Sequence, residues 1–368
     1  MLLSAKERPS IARDTGRLYQ QVRHTRLRAI TILVVAAAAL VVSIIVSVSV
    51  GPANITFVEA AATVVNAVVG TEPEAGRPAM IHAVILDLRM PRTLLAALVG
   101  MALALAGAAM QAVLRNPLVS PFTLGLSSAA SFGAALAIGL GVSIGALGGR
   151  VTLLVFAFGF GMLTVLGIYG VASIRGSGRE TYLLTGVAIG YLFSAGVSGM
   201  KYFSADDKLK EIVLWTMGGL WGASWEAVVT LLPIAVICFV LLYLKAGDLN
   251  VMSAGEDVAA SLGVRVKRLR LSTLFIATLL ASSFVAFTGV IGFVGLVAPH
   301  IARMILGGDA RVLLPSSALI GAVLIVVSDT VGRMLIAPVE IPVGIITSVI
   351  GVPFFVYLIV RQRRRVWG

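Results

Sequence analysis

The chain contains little charge for its length. Only 12% of its 368 residues are Asp, Glu, Lys or Arg, whereas 58% are hydrophobic. A soluble domain carries about 25% charged residues, and a water-soluble globule of this size could not bury so much apolar surface. The composition therefore excludes a soluble enzyme, a secreted domain and a disordered protein. It predicts an all-α polytopic membrane protein.

Cysteine and histidine are scarce as well. The only cysteine, Cys238, can form no internal disulfide and lies in an apolar run, which favours a small buried hydrophobe over a thiol nucleophile. The three histidines, His24, His82 and His300, have no metal-ligand spacing, so we expect no metal site. The net charge of +12 is attributed to basic loops that face anionic lipid, and no nucleic-acid partner is expected.

Signatures of an internal power source are also missing. No Gly-Lys dipeptide occurs, so there is no Walker A loop and we expect no ATP hydrolysis by this chain. An ion-coupled carrier usually keeps carboxylates or histidines within its spans. Asp329 is the main exception here, and its spacing from Arg333 favours an i,i+4 ion pair over a proton relay. The chain is therefore predicted to be a passive pore or the membrane half of a partner-driven machine.

Charge-free runs predict ten membrane spans of about 20 residues each. The run after residue 270 is too long for one span and is divided at Thr288-Gly289 and Gly292. The predicted spans are 29–58, 93–114, 116–149, 151–174, 181–200, 227–244, 271–289, 292–307, 312–328 and 341–360.

The positive-inside rule supports this count. With both termini cytoplasmic, 21 of the 29 Lys and Arg residues lie on the cytoplasmic side. The predicted organisation is a basic cytoplasmic tail at 1–28, a permease domain at 29–361 and a second basic tail at 362–368. The halves 93–203 and 271–361 each hold about four spans, and an inverted repeat is predicted.

The cytoplasmic loop 247–270 contains a candidate docking helix. Ser253 to Glu256 resembles a capping box, and Gly263 is a left-handed stop. The intervening helix would expose Val258 and Leu262 to a partner. A helix lying on lipid headgroups is the alternative, and the acidic first turn argues against it because anionic lipid would repel it.

Three arginines lie at the predicted outer surface: Arg89 and Arg92 before span two, and Arg333 at the end of span nine. Guanidinium groups at an outer interface could bind carboxylates of a docked protein. Snorkelling, or pairing with Asp87 and Asp329, is an equally good interpretation from the residues alone.

Several motifs together resemble the FecCD permeases. The resemblance covers roughly residues 85–361 and not the basic tail. The matching segments are Arg89-Met90-Pro91-Arg92, Gln111, Leu114-Arg115-Asn116-Pro117-Leu118, Gly292 to His300 with Arg303, Glu340 to Ile345, and Gly351 to Phe355.

The resemblance implies the membrane subunit of a type II ABC importer for iron–siderophore complexes, haem or cobalamin in the bacterial cytoplasmic membrane. Two such ten-span subunits, identical or paralogous, would form the pore. Two ATPase subunits that bind ATP and Mg²⁺ would lie inside, and a substrate-binding protein would dock outside. The chain itself would bind no cofactor and would not be an enzyme. Iron–siderophore is the favoured cargo, and the alternative from another class is an ion-coupled secondary transporter.

The resemblance also assigns residue roles. The ATPase-coupling helix would include Gly255, Glu256, Ala259, Leu262 and Gly263. Glutamates of the binding protein would meet Arg89, Arg92 and Arg333. The channel would be lined mainly by spans five and ten. Candidate path and gate residues are Ser177, Thr181, Gly186, Gly190 and Gly196, although helix packing explains the three glycines equally well.

Overall fold

The chain folds as a bundle of helices in the computed structural model, which describes residues 8–51, 53, 55–71, 73–141, 148–175 and 178–362. In these residues no strand forms beyond an isolated bridge between Ile336 and Val339. The helices are α1 (Arg8–Ser49), α2 (Phe57–Val69), α3 (Arg77–His82), a π-helical segment (Ala83–Arg89), α4 (Met90–Leu114), α5 (Leu126–Leu140), α6 (Gly148–Arg175), α7 (Arg179–Phe203), α8 (Asp206–Met217), α9 (Trp225–Tyr243), α10 (Ala246–Ser253), α11 (Glu256–Ser261), α12 (Val266–Thr288), α13 (Val294–Leu306), α14 (Ala310–Met334) and α15 (Val343–Gln362).

Seven helical segments are long and apolar enough to cross a membrane. They are Leu27–Ser49, Arg77–Leu114, Gly149–Arg175, Glu180–Phe203, Trp225–Tyr243, Val266–Thr288 and Ala310–Met334. Three other predicted spans contain shorter apolar helices, namely α5, α13 and α15. The all-helical membrane fold is therefore confirmed, with seven segments that meet the length required of a span.

Two predicted boundaries have different outcomes. The break between predicted spans seven and eight is present, because α12 ends at Thr288 and α13 begins at Val294. The predicted span 116–149 is too long, since helix α5 covers only Leu126–Leu140. Residues 116–125 form turns instead. Charge-free sequence alone could not show this difference.

Helix α4 lies at the centre of the bundle, and most of its side chains are buried against α14, α12, α13 and α9. Small residues allow helix backbones to approach closely. A Cβ atom at Gly100 would lie 2.1 Å from the carbonyl oxygen of Gly321 in α14. A Cβ atom at Gly107 would lie 2.0 Å from the carbonyl oxygen of Gly295 in α13. Glycine is therefore required at both crossings.

Candidate functional sites: an outer arginine cluster and a cytoplasmic platform

The two ends of the bundle are called outer and cytoplasmic after the predicted topology, and the outer end buries the guanidinium group of Arg89. It donates hydrogen bonds to the carbonyl oxygens of Val48 at 3.0 Å and Ser49 at 2.9 Å, in the last turn of α1. These carbonyls have no partner within their own helix, and a cation is favourable at a helix C-terminus. Arg89 therefore fastens the end of α1 to the start of α4.

Arg92 and Arg333 share one carboxylate. Asp329 accepts hydrogen bonds from Arg92 at 2.9 Å and from Arg333 at 3.0 Å. Arg92 also binds Glu340 at 2.9 Å, and Arg333 donates to the hydroxyl of Ser47 at 2.9 Å. The predicted pairing of Asp329 with Arg333 is present. Together with Arg89 these groups form the outer cluster, which contains three guanidinium groups and two carboxylates.

The structure does bring the three predicted docking arginines together, but most of their surface is covered. Arg89 and Arg333 are only 6% and 5% exposed. Pairing with Asp329, one of the two alternatives, is observed for Arg92 and Arg333. No ion pair with Asp87 is found among the described residues. Of the three, the side chain of Arg92 is the most accessible, at 16%.

The cytoplasmic platform consists of α10 and α11, and its predicted helix is present with a different start. Ser253 is the last residue of α10, and its hydroxyl donates to the carbonyl oxygen of Asn250, so the predicted capping box is wrong. Gly255 precedes α11 with φ +135° and ψ 154°, and its side-chain-free backbone makes the turn between the two helices. Such a backbone is essentially confined to glycine. The turn at Gly255 separates Ser253 from α11, and Ser253 therefore ends α10 instead of capping α11.

The predicted end of this helix is confirmed. Gly263 has φ +85°, and its N–H donates to the carbonyl oxygen of Ala260. The N–H of Val264 donates to the carbonyl oxygen of Ala259, which completes a Schellman motif. This backbone geometry ends α11 and turns the chain into α12.

The exposed side of α11 matches the prediction. Val258 is 46% exposed and Leu262 is 68% exposed, while Ala259 is fully buried beneath them. Single exposed apolar residues are ordinary on a protein surface. Val258 within the six-residue helix and Leu262 at its C-cap, between the glycines at the two ends, together present a short apolar face of defined orientation.

The platform is fixed to the bundle through two polar contacts that sequence reasoning missed. Asn250 of α10 donates to the carboxylate of Asp309 and accepts from the backbone N–H of Ala310, both at 2.6 Å, at the start of α14. Glu256 of α11 pairs with Arg270 of α12 at 2.6 Å. Helical periodicity could have predicted that Arg270 is buried. It lies one turn after Val266 and one turn before the buried Leu274, on the same face of α12.

Two residues quoted in the family resemblance acquire a structural role. The side-chain amide of Gln111 in α4 donates to the carbonyl oxygen of Gly295 in α13 at 3.1 Å. Arg303, at the end of α13, donates to the side-chain oxygen of Gln111 at 3.1 Å. These contacts hold the short helix α13 against the central helix.

The candidate gate residues lie mostly on α7. Thr181 is half-buried in its first turn, while Ser177 lies outside the described residues. A Cβ atom at Gly186 would lie 2.9 Å from the Cα atom of Leu124, and one at Gly196 would lie 2.6 Å from the ring of Phe132. Close helix packing, one of the two interpretations, is therefore observed at these glycines.

Gly190 of α7 packs in the same way, since a Cβ atom there would lie 3.1 Å from the Cα atom of Gly125. The opposite side of the helix is exposed and apolar and includes Leu184, Tyr191 and Leu192. In the described residues no group of three or more His, Cys, Asp or Glu side chains could hold a metal ion.

The geometry defines the class of protein: a helical integral membrane protein with a built platform at one end and a charged cluster at the other. Residues 18–361 match the FecCD transport family, so the chain belongs to that family and the resemblance is confirmed. The family's curated relatives are permeases of ABC transporters, which are transport components rather than enzymes.

Individual relatives cover most of the chain. The hemin transport system permease protein HmuU of Yersinia pestis is 41% identical over 281 residues, which cover 77% of this chain and 84% of the relative. The cobalamin import system permease protein BtuC of Halobacterium salinarum is 39% identical over 285 residues, with coverage of 77% and 75%. A solved structure described as a metal-chelate type ABC transporter in an inward-facing conformation superposes with a TM-score of 0.77 at 32% identity, covering 90% of this chain and 99% of that one.

Proposed function

We propose that the chain is the permease subunit of an ATP-driven importer that carries an iron–siderophore complex into the cytoplasm. The observation that carries the proposal is the platform α10–α11, which presents Val258 and Leu262 on a fixed helix in a chain without a Walker A loop. Such a surface suits a partner that supplies the energy. Family membership makes that partner an ABC ATPase.

Ten spans with both ends cytoplasmic are part of the proposal. Helices α5, α13 and α15 supply the three spans beyond the seven long segments. An inverted repeat is supported by one similarity between the halves. The second helix of each half, α5 or α13, is the short one, and each follows non-helical backbone with a residue of positive φ, Gly125 or Phe293. The basic tails at 1–28 and 362–368 would lie in the cytoplasm.

The partners follow from the two ends of the molecule. Two ATPase subunits, which bind ATP and Mg²⁺, would dock on the α11 helices of a permease dimer formed from identical or paralogous chains. A substrate-binding protein would dock at the outer cluster, where its carboxylates could replace Glu340 on Arg92. Arg89 and Arg333 would support that surface from below. This docking role for the three arginines stays a prediction.

In the proposed cycle, the loaded binding protein delivers its ligand to a channel between the two subunits, lined mainly by α7 and α15. ATP binding then closes the ATPases and moves the α11 helices, which rock the bundles and open the inner gate near Thr181. A weakly attractive lining would let a bulky chelate leave inward, because tight sites slow release. The membrane would be the bacterial cytoplasmic membrane.

The cargo is the finest part of the proposal. Relatives named for import of Fe(3+)-citrate and Fe(3+)-hydroxamate support a ferric chelate. Haem is the second candidate, favoured by the 41% identity with HmuU, and cobalamin is the third.

The test is reconstitution of the permease in proteoliposomes with ATPase and binding-protein subunits from the same genome, with uptake of ferric hydroxamate, haemin and cobalamin measured separately. We expect uptake that needs ATP and is blocked by vanadate. Leu262→Asp should abolish ATPase association, while the control Lys267→Ser, at an exposed position on α12, should not. Uptake that ignores vanadate and collapses with a protonophore would instead establish an ion-coupled secondary transporter.

A further inference from the structure

Arg270 lies between the platform and the first turn of α7. It is only 1% exposed, although it is a charged residue near the cytoplasmic end of α12. Its guanidinium group binds Glu256, the first residue of α11, at 2.6 Å. The same group lies 5.5 Å from the ring centroid of Tyr182, which is fully buried near the start of α7.

Arg270 contacts α11 through Glu256 and α7 through Tyr182, so it connects these two helices. A buried guanidinium group needs a counter-charge, since water does not solvate it, and an aromatic face adds cation–π attraction. Glu256 supplies the first from α11, and the face of the Tyr182 ring supplies the second from α7. A displacement of α11 that carries Glu256 away would therefore pull Arg270 with it or break this ion pair.

The neighbouring turn of α12 is tied to the same region. The hydroxyl of Tyr169 in α6 donates a hydrogen bond to the carbonyl oxygen of Leu271. Leu271 directly follows Arg270 in α12, so this bond holds the backbone from which the guanidinium side chain extends. The Arg270 side chain can thus follow Glu256 while its own backbone is held, and its movement changes the contact with the Tyr182 ring.

We propose that Arg270 is a positioning residue that transmits movement of α11 to the gate end of α7 through Tyr182. The inference rests on the proposed function, because it needs an ATPase that pushes on α11. It adds a physical route between the predicted coupling helix and the predicted gate helix, which otherwise lie on separate elements.

The closing experiment compares variants of the full transporter complex in proteoliposomes. The quantities measured are transport of a ferric hydroxamate chelate, with haemin as a second probe, and ATP hydrolysis in the same vesicles. Arg270→Gln and Tyr182→Leu should each lower the amount of substrate moved per ATP by about fivefold or more. The double variant should be no worse than either single one, because both remove the same link.

One conservative variant and one matched control separate this role from a merely structural one. Tyr182→Phe keeps the aromatic face and should retain coupling close to wild type, unlike Tyr182→Leu, which has no ring. Arg268→Gln removes an exposed charge from the same turn of α12 and serves as the matched control. If Arg270→Gln fails to assemble, the comparison of Phe with Leu at position 182 decides the question alone.

A wild-type ratio in both Arg270→Gln and Tyr182→Leu would overturn the inference, as would a double variant whose loss is the product of the single losses. A transport-independent measurement distinguishes this result from failure of the proposed function. Spin labels at Ala260→Cys, an exposed position on the side of α11 away from Val258 and Leu262, and at the exposed Leu184→Cys report whether α11 and α7 move together when ATP binds. The Cys238→Ala background keeps the labels specific. Joint movement that survives Tyr182→Leu sinks the link, whether or not the vesicles import a chelate.

Discussion

The two ends of the molecule both bury arginine, but they hold it differently. In the outer cluster, Arg89 and Arg333 bind backbone carbonyls at the end of α1, and Asp329 joins two guanidinium groups. At the cytoplasmic end, Arg270 is paired with Glu256 and stacked near Tyr182. The first arrangement ties several helices at once, while the second connects one small helix to one long one.

This difference matches the roles that the proposed function gives to the two ends. Backbone carbonyls cannot move without unwinding a helix, so the outer cluster is a fixed joint between α1, α4 and α14. Side chains such as Glu256 can swing, and its side chain is 37% exposed. The cytoplasmic contact can therefore change geometry without unwinding a helix. A rigid outer end and a movable inner end suit a machine that is driven from the inside.

Removing the shared carboxylate of the outer cluster should give the largest effect. Asp329→Asn removes the buried counter-charge of Arg333 and leaves Arg92 paired with Glu340 alone. Breaking such a pair costs about 3–5 kcal/mol. We expect a large loss of folded protein in detergent, measured by thermal unfolding. The control is Asp87→Asn, because Asp87 is exposed on the neighbouring π-helical segment. Equal stability of the two variants would show that the outer cluster is not a joint.

Substituting the glycine that opens α11 should have a smaller, local effect. Gly255→Ala forces a side chain into a backbone region that costs about 1–3 kcal/mol for other residues. The amides of 254–264 should exchange hydrogen faster while those of α4 stay protected. Gly247→Ala is the matched control, because Gly247 lies in α10 with no atom closer than 3.8 Å to an added Cβ. Unchanged exchange around α11 in Gly255→Ala would show that the backbone of Gly255 does not fix the start of this helix.

Neutralising the outermost acid should change binding more than stability. Glu340 is 31% exposed and pairs with Arg92. Ion pairs with this much solvent access contribute about 0–1 kcal/mol to folding. Glu340→Gln should leave the melting temperature nearly unchanged but free Arg92 for an incoming carboxylate. Titration with the substrate-binding protein should then show faster association at low salt. Slower association would mean that Glu340 itself contacts the partner.

Several features of the fold and of the two ends could be predicted from the sequence. The helical membrane fold, the break at Gly289 and Gly292, the pairing of Asp329 with Arg333 and the left-handed stop at Gly263 all follow from local rules. Each depends on residues that are adjacent or one turn apart. Periodicity, charge and glycine conformation act at that range and predict these features, whereas the capping box at Ser253 to Glu256, a prediction at the same range, is wrong.

The long-range contacts could not be predicted from the sequence. The meeting of Arg92 with Glu340, of Asn250 with Asp309 and of Arg270 with Tyr182 depends on how distant helices cross. Those crossings are set by small residues such as Gly100 and Gly107, whose partners a single sequence does not name. The shortened helix α5 was missed for a related reason, because charge-free sequence does not distinguish helix from a Pro-containing turn.

The ion pair between Glu59 and Arg77 is more exposed than those at either end, and it serves as the reference for both. Glu59, in the first turn of α2, accepts hydrogen bonds from the backbone of Thr56 and from Arg77. The backbone bond and then the arginine lower the pKa of Glu59 from 4.5 to about 2. Because the folded-state pKa is depressed, the stabilisation is present above pH 4.5 and is lost as the pH falls towards 2.

Amide exchange of α2 measured between pH 2 and 6, corrected for intrinsic rates, should show this helix loosening at the acid end while the outer cluster stays protected. In Arg77→Gln the loosening should begin at a higher pH, since the remaining backbone bond depresses the pKa less. The capping box of Thr56 and Glu59 would still be present in that variant, so α2 should remain helical at neutral pH. A transition unchanged by Arg77→Gln would show that the exposed pair contributes nothing, and that only burial gives the arginines of this molecule their hold on its helices.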